Sequence, residues 1–169
     1  MAAGSRNASR HAPNIMSRAF VKEPDGDTFE DAPDRLISEH PNYVTANGLA
    51  LIEAEVARLT EASSLAQQAG NRAELSATAR DLRYWLARRA SAEVIPPQLG
   101  TGVVQFGSTI SVMRDDGRRQ TFQITGEDEA NPAHGTLSYV SPLARALMGS
   151  KAGDTVRLGP GEVEVLAVG

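Results

Sequence analysis

The chain has 169 residues, a net charge of −4 and no cysteine. This length allows one ordinary domain or two small ones; the absence of cysteine excludes a disulfide framework or a thiolate metal site, and no apolar run approaches the ~20 residues of a membrane span. Basic and acidic side chains number five and seven in residues 1–45, six and six in 46–100, and six and eight in 101–169, so no segment has the positive field that holds duplex nucleic acid unaided, and a protein partner is the better expectation.

Residues 1–41 read as a disordered or extended arm. The first 14 are rich in Ala, Ser, Asn and Arg without periodicity, and Met16 offers an alternative start. There is no apolar core of a secretory signal, so a cytoplasmic location with no membrane partner is expected. Residues 23–34 are acidic and carry Pro24, Gly26 and Pro33, the composition of a flexible linker. His40-Pro41-Asn42 marks a turn.

A helix is predicted from Thr45, whose hydroxyl can cap it. Leu49, Ile52, Val56 and Leu59 are spaced three, four and three apart, the seam of a coiled coil, which weakens to Ser63 and Ala66. Gly70-Asn71 breaks the pattern. A second helix is predicted from Arg72 to about Glu93, with Leu75, Ala79, Leu82 and Leu86 along one face and Trp85 beside it. Two helices of similar length joined by a tight turn make an antiparallel hairpin over residues 42–95. Each arm is ~32–35 Å long at 1.5 Å per residue. Pro96-Pro97-Gln98-Leu99-Gly100 ends the helix, and 96–102 reads as a linker.

Beyond it the period changes to two. Residues 106–114 alternate, Asp115-Asp116-Gly117 is a hairpin turn signal, and 118–125 pair back. A third strand is predicted at 136–140. Ser141 is a good N-cap, Pro142 suits the first helical position, and Gly149 can stop the short helix between them. Leu143, Ala146 and Leu147 would share its inner face. Residues 155–158, Gly159-Pro160-Gly161 and 162–168 close the chain as another hairpin. The fold class is α+β: a helical hairpin, then a domain at 103–169 of antiparallel strands around a short helix.

Few constellations suggest chemistry. Glu127-Asp128-Glu129 resembles a metal cluster, but neighbouring side chains in a strand or turn diverge, so a solvated turn is expected. His11, His40 and His134 share no ligand spacing. Arg80, Arg83, Arg88 and Arg89 read as a solvated surface balanced by Glu53, Glu55 and Glu61 on the first helix, or as a contact for RNA or a protein partner. No phosphate-binding glycine loop, Ser-His-Asp spacing or nucleophilic cysteine occurs, and no metal ligand is assigned.

Four blocks in fixed order carry a family resemblance: Phe106-Gly107-Ser108-Thr109-Ile110, Gln123-Ile124-Thr125-Gly126-Glu127-Asp128-Glu129-Ala130, Ser141-Pro142-Leu143-Ala144-Arg145-Ala146-Leu147, and Lys151-Ala152-Gly153-Asp154-Thr155-Val156. Together they make the chain similar to the Gre family of bacterial transcription elongation factors, GreA and GreB, loosely from Asn42 and closely after Val103. The resemblance implies an FKBP-like C-terminal domain that docks on the RNA polymerase core. It also implies a coiled coil entering the polymerase secondary channel. Docking would fall to Val140, Ser141, Pro142 and Leu143.

In such factors acidic tip residues help hold a Mg²⁺ ion in the polymerase active site, where it activates water for cleavage of backtracked RNA. The protein itself needs no cofactor, the chain is expected to act as a monomer, and RNA is met only inside the complex. Here Glu74 matches one tip carboxylate, while Asn71 stands where the family has the other, followed by Arg72. The hairpin is also several turns shorter than in cleavage-stimulating members. Cleavage stimulation, with Glu74 the catalytic candidate, stays open beside a second reading: a cleavage-incompetent channel binder resembling the regulator of nucleoside diphosphate kinase. A third reading, a peptidyl-prolyl isomerase, would need a ring-lined pocket, and the C-terminal domain offers only Phe106, Phe122 and Tyr139.

Overall fold

The computed structural model describes residues 33–98 and 100–169. The readings of the arm before Pro33, of Met16 and His11, and of Leu99 in the linker lie outside the described residues. Residues 33–42 form no helix or strand, yet they are anchored: Asp34 pairs with Arg83 at 2.5 Å, and the Arg35 guanidinium stacks 3.7 Å from the centre of the Tyr84 ring.

The hairpin forms as its periodicity predicts. A short strand, β1 (Tyr43–Val44), leads into α1 (Ala46–Gln68), whose N-cap Thr45 accepts from the Gly48 amide. Ile52, Val56, Leu59 and Ala66 are buried along one stripe of α1, facing α2 (Arg72–Ser91). Leu49 is only half-buried. The stripe assigned to α2 needs correction: Leu86 is exposed, and the buried residue of this helix is Arg88, 1 % exposed. The helix stops at Ser91 rather than Glu93 because Glu93–Val94 forms a strand, β2, paired in parallel with β1. The base of the hairpin is thus tied by backbone hydrogen bonds as well as by its helices.

The remaining strands are β3 (Thr109–Arg114), β4 (Arg119–Thr125), β5 (Thr136–Ser138), β6 (Thr155–Leu158) and β7 (Gly161–Val168), arranged β5-β4-β3-β7-β6. All pairs are antiparallel except β4–β5, which is parallel. The connection to β5 includes a 3-10 turn at Pro132–His134. Strand β3 starts at Thr109, three residues after the predicted limit, because Gly107 adopts a left-handed φ of 87° and the chain turns before it extends. Strand β5 ends at Ser138, whose carbonyl accepts from the Ser141 amide to close a turn.

Alternation on β3 and β4 sends Ile110, Val112, Phe122 and Ile124 to one face. On β7 a bulge opposite Ser111 and Val112 adds one residue, so Val168 joins Val163 and Val165 against the same core. Helix α3 (Pro142–Leu147) packs on that face through Leu143, Ala144 and Leu147. Ala144 takes the fully buried position expected of Ala146, which is half-buried. The hairpin and the sheet pack together as one compact unit.

Candidate functional site

The hairpin turn is built from a helix stop and a helix start. Gly70 takes a left-handed φ of 66°, and the Asn71 amide donates back to the Ala66 carbonyl at 3.0 Å. Asn71 then caps α2: its side-chain oxygen accepts from the Glu74 amide at 3.2 Å, and its Nδ2 donates to the Glu74 carboxylate at 2.9 Å. This is a reciprocal capping arrangement in which the acid also faces the positive end of the helix. Both residues are exposed. Mg²⁺ takes hard oxygen ligands at close to octahedral geometry. A neutral amide and one carboxylate already engaged by that amide do not fit a paired-carboxylate ligand set.

The second candidate lies at the start of α3. Ser141 has an extended backbone, and its Oγ accepts from the Ala144 amide at 3.2 Å. Pro142 occupies the first helical position and is exposed; Val140 and Ser141 are half-buried. Leu143 is 7 % exposed and belongs to the core cluster. Its side chain therefore supports the segment from beneath, leaving Val140 and Pro142 to present surface. Beside them runs an open groove of about 540 Å³, lined mainly by Phe122, Leu137, Pro142 and Leu158, with Arg114 and Gln120 at its polar side. Arg114 donates to Gln120 at 2.7 Å. Of the three rings in this part of the chain, only Phe122 lines the groove. Phe106 and Tyr139 pack on each other and on Tyr43, with ring centres 5.5–6.1 Å apart.

The third feature was not legible as a site. The carboxylates of Glu127, Asp128 and Glu129 do not form a solvated turn: Glu129 has partners of its own, while Glu127 and Asp128 meet one guanidinium. Glu129 accepts from the backbone and hydroxyl of Thr45 at 2.9 and 2.6 Å and from the Gly126 amide at 3.0 Å. Asp128 accepts from the Tyr84 hydroxyl at 2.6 Å and from Arg88 Nε at 2.5 Å. Glu127 lies 3.6 Å from the same guanidinium. Arg88 is thus no part of a solvated basic surface. Arg58 pairs with Glu55 on its own helix and Arg83 with Asp34, so the expected cross-helix balance is not what these side chains form. Burial, and next the bond to Asp128, push the Tyr84 phenol from its ordinary 10 up to about 12. The signal that could have found this joint is the Tyr84–Arg88 spacing, one helical turn apart, at the base of a hairpin whose partner loop is acidic. Among the described residues no group of three or more His, Cys, Asp or Glu side chains is placed to hold a metal.

A helical hairpin followed by a small sheet domain, with a capped helix beside an apolar groove, defines a two-part α+β protein. Residues 99–169 match the family model for the C-terminal part of transcription elongation factors GreA and GreB. The chain is 42 % identical over 95 residues to transcription elongation factor GreB of Neisseria meningitidis serogroup B, covering 53 % of this chain and 58 % of that protein's length. It is 35 % identical over 143 residues to transcription elongation factor GreA of Chloroflexus aurantiacus, covering 71 % of this chain and 89 % of that one. Among solved structures, GreA factor homolog 1 of Thermus thermophilus aligns over 77 % of this chain and 99 % of its own, with 23 % identity and a TM-score of 0.36. The chain belongs to the GreA/GreB family of transcription elongation factors.

Proposed function

We propose that this protein binds the RNA polymerase core as a regulator of transcript elongation and gives little stimulation of transcript cleavage. Family membership supports the partner and the process. The Asn71–Glu74 pair carries the specific part of the reading. A turn that satisfies its one carboxylate internally delivers less negative charge to a catalytic ion than two free carboxylates do. Docking falls to the surface at Val140 and Pro142 and to the apolar groove beside them, with the hairpin directed into the secondary channel. The protein contributes position and charge and has no catalytic centre of its own; it works as a cytoplasmic monomer and meets RNA only within the complex. No helix of the described residues is long and apolar enough to cross a membrane.

The test uses backtracked elongation complexes with purified core polymerase. Binding should be measurable and elongation or pausing altered, with only slow release of 3′ RNA fragments. Robust cleavage that disappears in Glu74→Ala would overturn the cleavage-poor reading. The isomerase alternative is disfavoured by the packing of Phe106 and Tyr139 against Tyr43, which leaves the groove a single ring.

A further inference from the structure

The hairpin is a lever, and its base meets the sheet domain at three separate places. At α1, Glu129 bridges Thr45 and Gly126. At α2, Asp128 and Glu127 meet Tyr84 and Arg88. Between them, Tyr43 packs against Phe106 and Tyr139, and the Tyr139 hydroxyl donates to the Pro41 carbonyl. Three separate contacts resist a change in the orientation of one body on another more than any one of them alone. For a lever of ~30 Å, a swing of about 10° at the base moves the tip by about 5 Å, more than the reach of a side-chain contact.

Arg88 is the point of least tolerance. Its guanidinium is buried between two carboxylates, and its backbone carbonyl accepts from Asn42 Nδ2 at 2.7 Å. A buried ion pair adds little stability over a well-packed apolar set, but it penalises any geometry that separates the charges. The outer side is closed by Arg35, whose guanidinium covers the Tyr84 ring and reaches toward Trp85 at 5.6 Å. The two aromatic rings themselves meet edge to face. The docking segment continues directly from this joint, since Tyr139 precedes Val140 in the chain.

We infer that Arg88 is a positioning residue: with Asp128 and Tyr84 it sets the direction of the hairpin relative to the Val140 and Pro142 surface, so that the place reached by the tip depends on a joint far from it. This rests on the functional reading above only for its consequence in the polymerase complex. The joint itself can be examined in the free protein.

The chain has no native cysteine, so spin labels at Ala73→Cys and Arg157→Cys report the tip-to-sheet distance cleanly by pulsed electron resonance. The parent should give one narrow distance peak. Arg88→Met should at least double its width or add a second distance, and Tyr84→Phe, which deletes only the hydroxyl, should broaden it by a smaller amount. An unchanged distribution in folded Arg88→Met overturns the inference. If that variant does not fold, Tyr84→Phe and Asp128→Asn decide, and unchanged widths in both overturn it equally. With core polymerase, Arg88→Met should bind within about twofold of the parent while its effect on elongation falls several-fold; a parallel loss of both would show a merely structural role. Broadened distances in a protein whose parent never binds polymerase would keep the joint and reject the functional reading.

Discussion

Asn71 and Glu74 satisfy each other at the hairpin turn: the side-chain oxygen of Asn71 accepts from the Glu74 amide, and the Asn71 amide donates to the Glu74 carboxylate at 2.9 Å. The pair therefore contributes to stability where the family resemblance implies catalysis. Replacing an N-cap residue by Ala costs about 1 kcal/mol, so Asn71→Ala should lower the urea midpoint measurably, and Glu74→Ala should lower it less because its backbone amide keeps the Asn71 acceptor. Asn71→Asp keeps a capping oxygen and adds a second carboxylate. Its expected outcome is near-parental stability with faster 3′ fragment release from backtracked complexes, read on a sequencing gel. Unchanged release would show that hairpin length, not tip charge, limits cleavage.

Two glycines are required by the approach of the acidic loop to the hairpin. A Cβ on Gly126 would sit 2.5 Å from the Tyr43 carbonyl oxygen, a backbone atom that cannot step aside. A Cβ on Gly48 would sit 2.4 Å from the Glu129 carboxylate, which can move only by releasing Thr45 and Gly126. Overpacking of this kind typically costs about 1–3 kcal/mol. Gly126→Ala should fall at the upper end of that range and Gly48→Ala lower, because the obstacle there is a side-chain end. Thermal unfolding of the full chain, followed by circular dichroism, ranks the two; the reverse order would mean that the loop yields more easily than the carboxylate.

What could be read ahead of the structure divides along a physical line. The Ile52, Val56 and Leu59 spacing and the alternation at Ile110 and Val112 report local burial, which one element's own sequence encodes. Two caps were legible for the same reason: Thr45 and Ser141 bond within three residues of themselves, whereas Asn71, read only as a break in the pattern, turns out to cap the second helix. The joint was not legible, because Arg88 and Asp128 are 40 residues apart and each alone is an ordinary surface residue type. The expected divergence of the three carboxylates describes Glu129 but not Glu127 and Asp128, which meet the same Arg88 guanidinium. Nor did divergence imply that each faced water, since donors waited on both helices. Strands β1 and β2 escaped notice for a similar reason: two residues each are too few to show a period.

The joint also leaves a signature at high pH. Burial and the Asp128 carboxylate hold the Tyr84 phenol neutral up to about 12, against an ordinary value of 10. Below pH 10 both the folded and unfolded phenols keep their proton, and the contribution is fully present. Between 10 and 12 the unfolded chain releases a proton that the folded chain retains, so stability falls as pH rises through that window. Tyr84→Phe should show a shallower alkaline decline than the parent in denaturant titrations at stepped pH. Absorbance titration of the phenols should show one fewer late-ionising group. Tyr139, also raised, chiefly by burial and then by Glu127, remains in both proteins and contributes to the residual slope.

The segment that begins α3 separates docking from folding by exposure. Leu143 is core, so Leu143→Ala should cost about 2–5 kcal/mol through lost burial and a residual cavity. Val140 and Pro142 present surface, and Ser141 holds them in place through its bond to the Ala144 amide. Val140→Arg should lower the thermal midpoint by only a few degrees, because half-buried Val140 makes no cap bond with its side chain and is no part of the core cluster. It should nonetheless weaken binding to core polymerase by about tenfold, equivalent to 1.4 kcal/mol, because a buried interface penalises an unpaired charge. Ser141→Ala should do some of both, losing about 1 kcal/mol of stability with its cap and loosening the segment that Val140 occupies. Fluorescence anisotropy of a labelled protein titrated with core enzyme measures the first quantity and thermal unfolding the second. If Val140→Arg binds as tightly as the parent while Leu143→Ala binds poorly at temperatures where it is folded, the docking surface is not at the start of this helix.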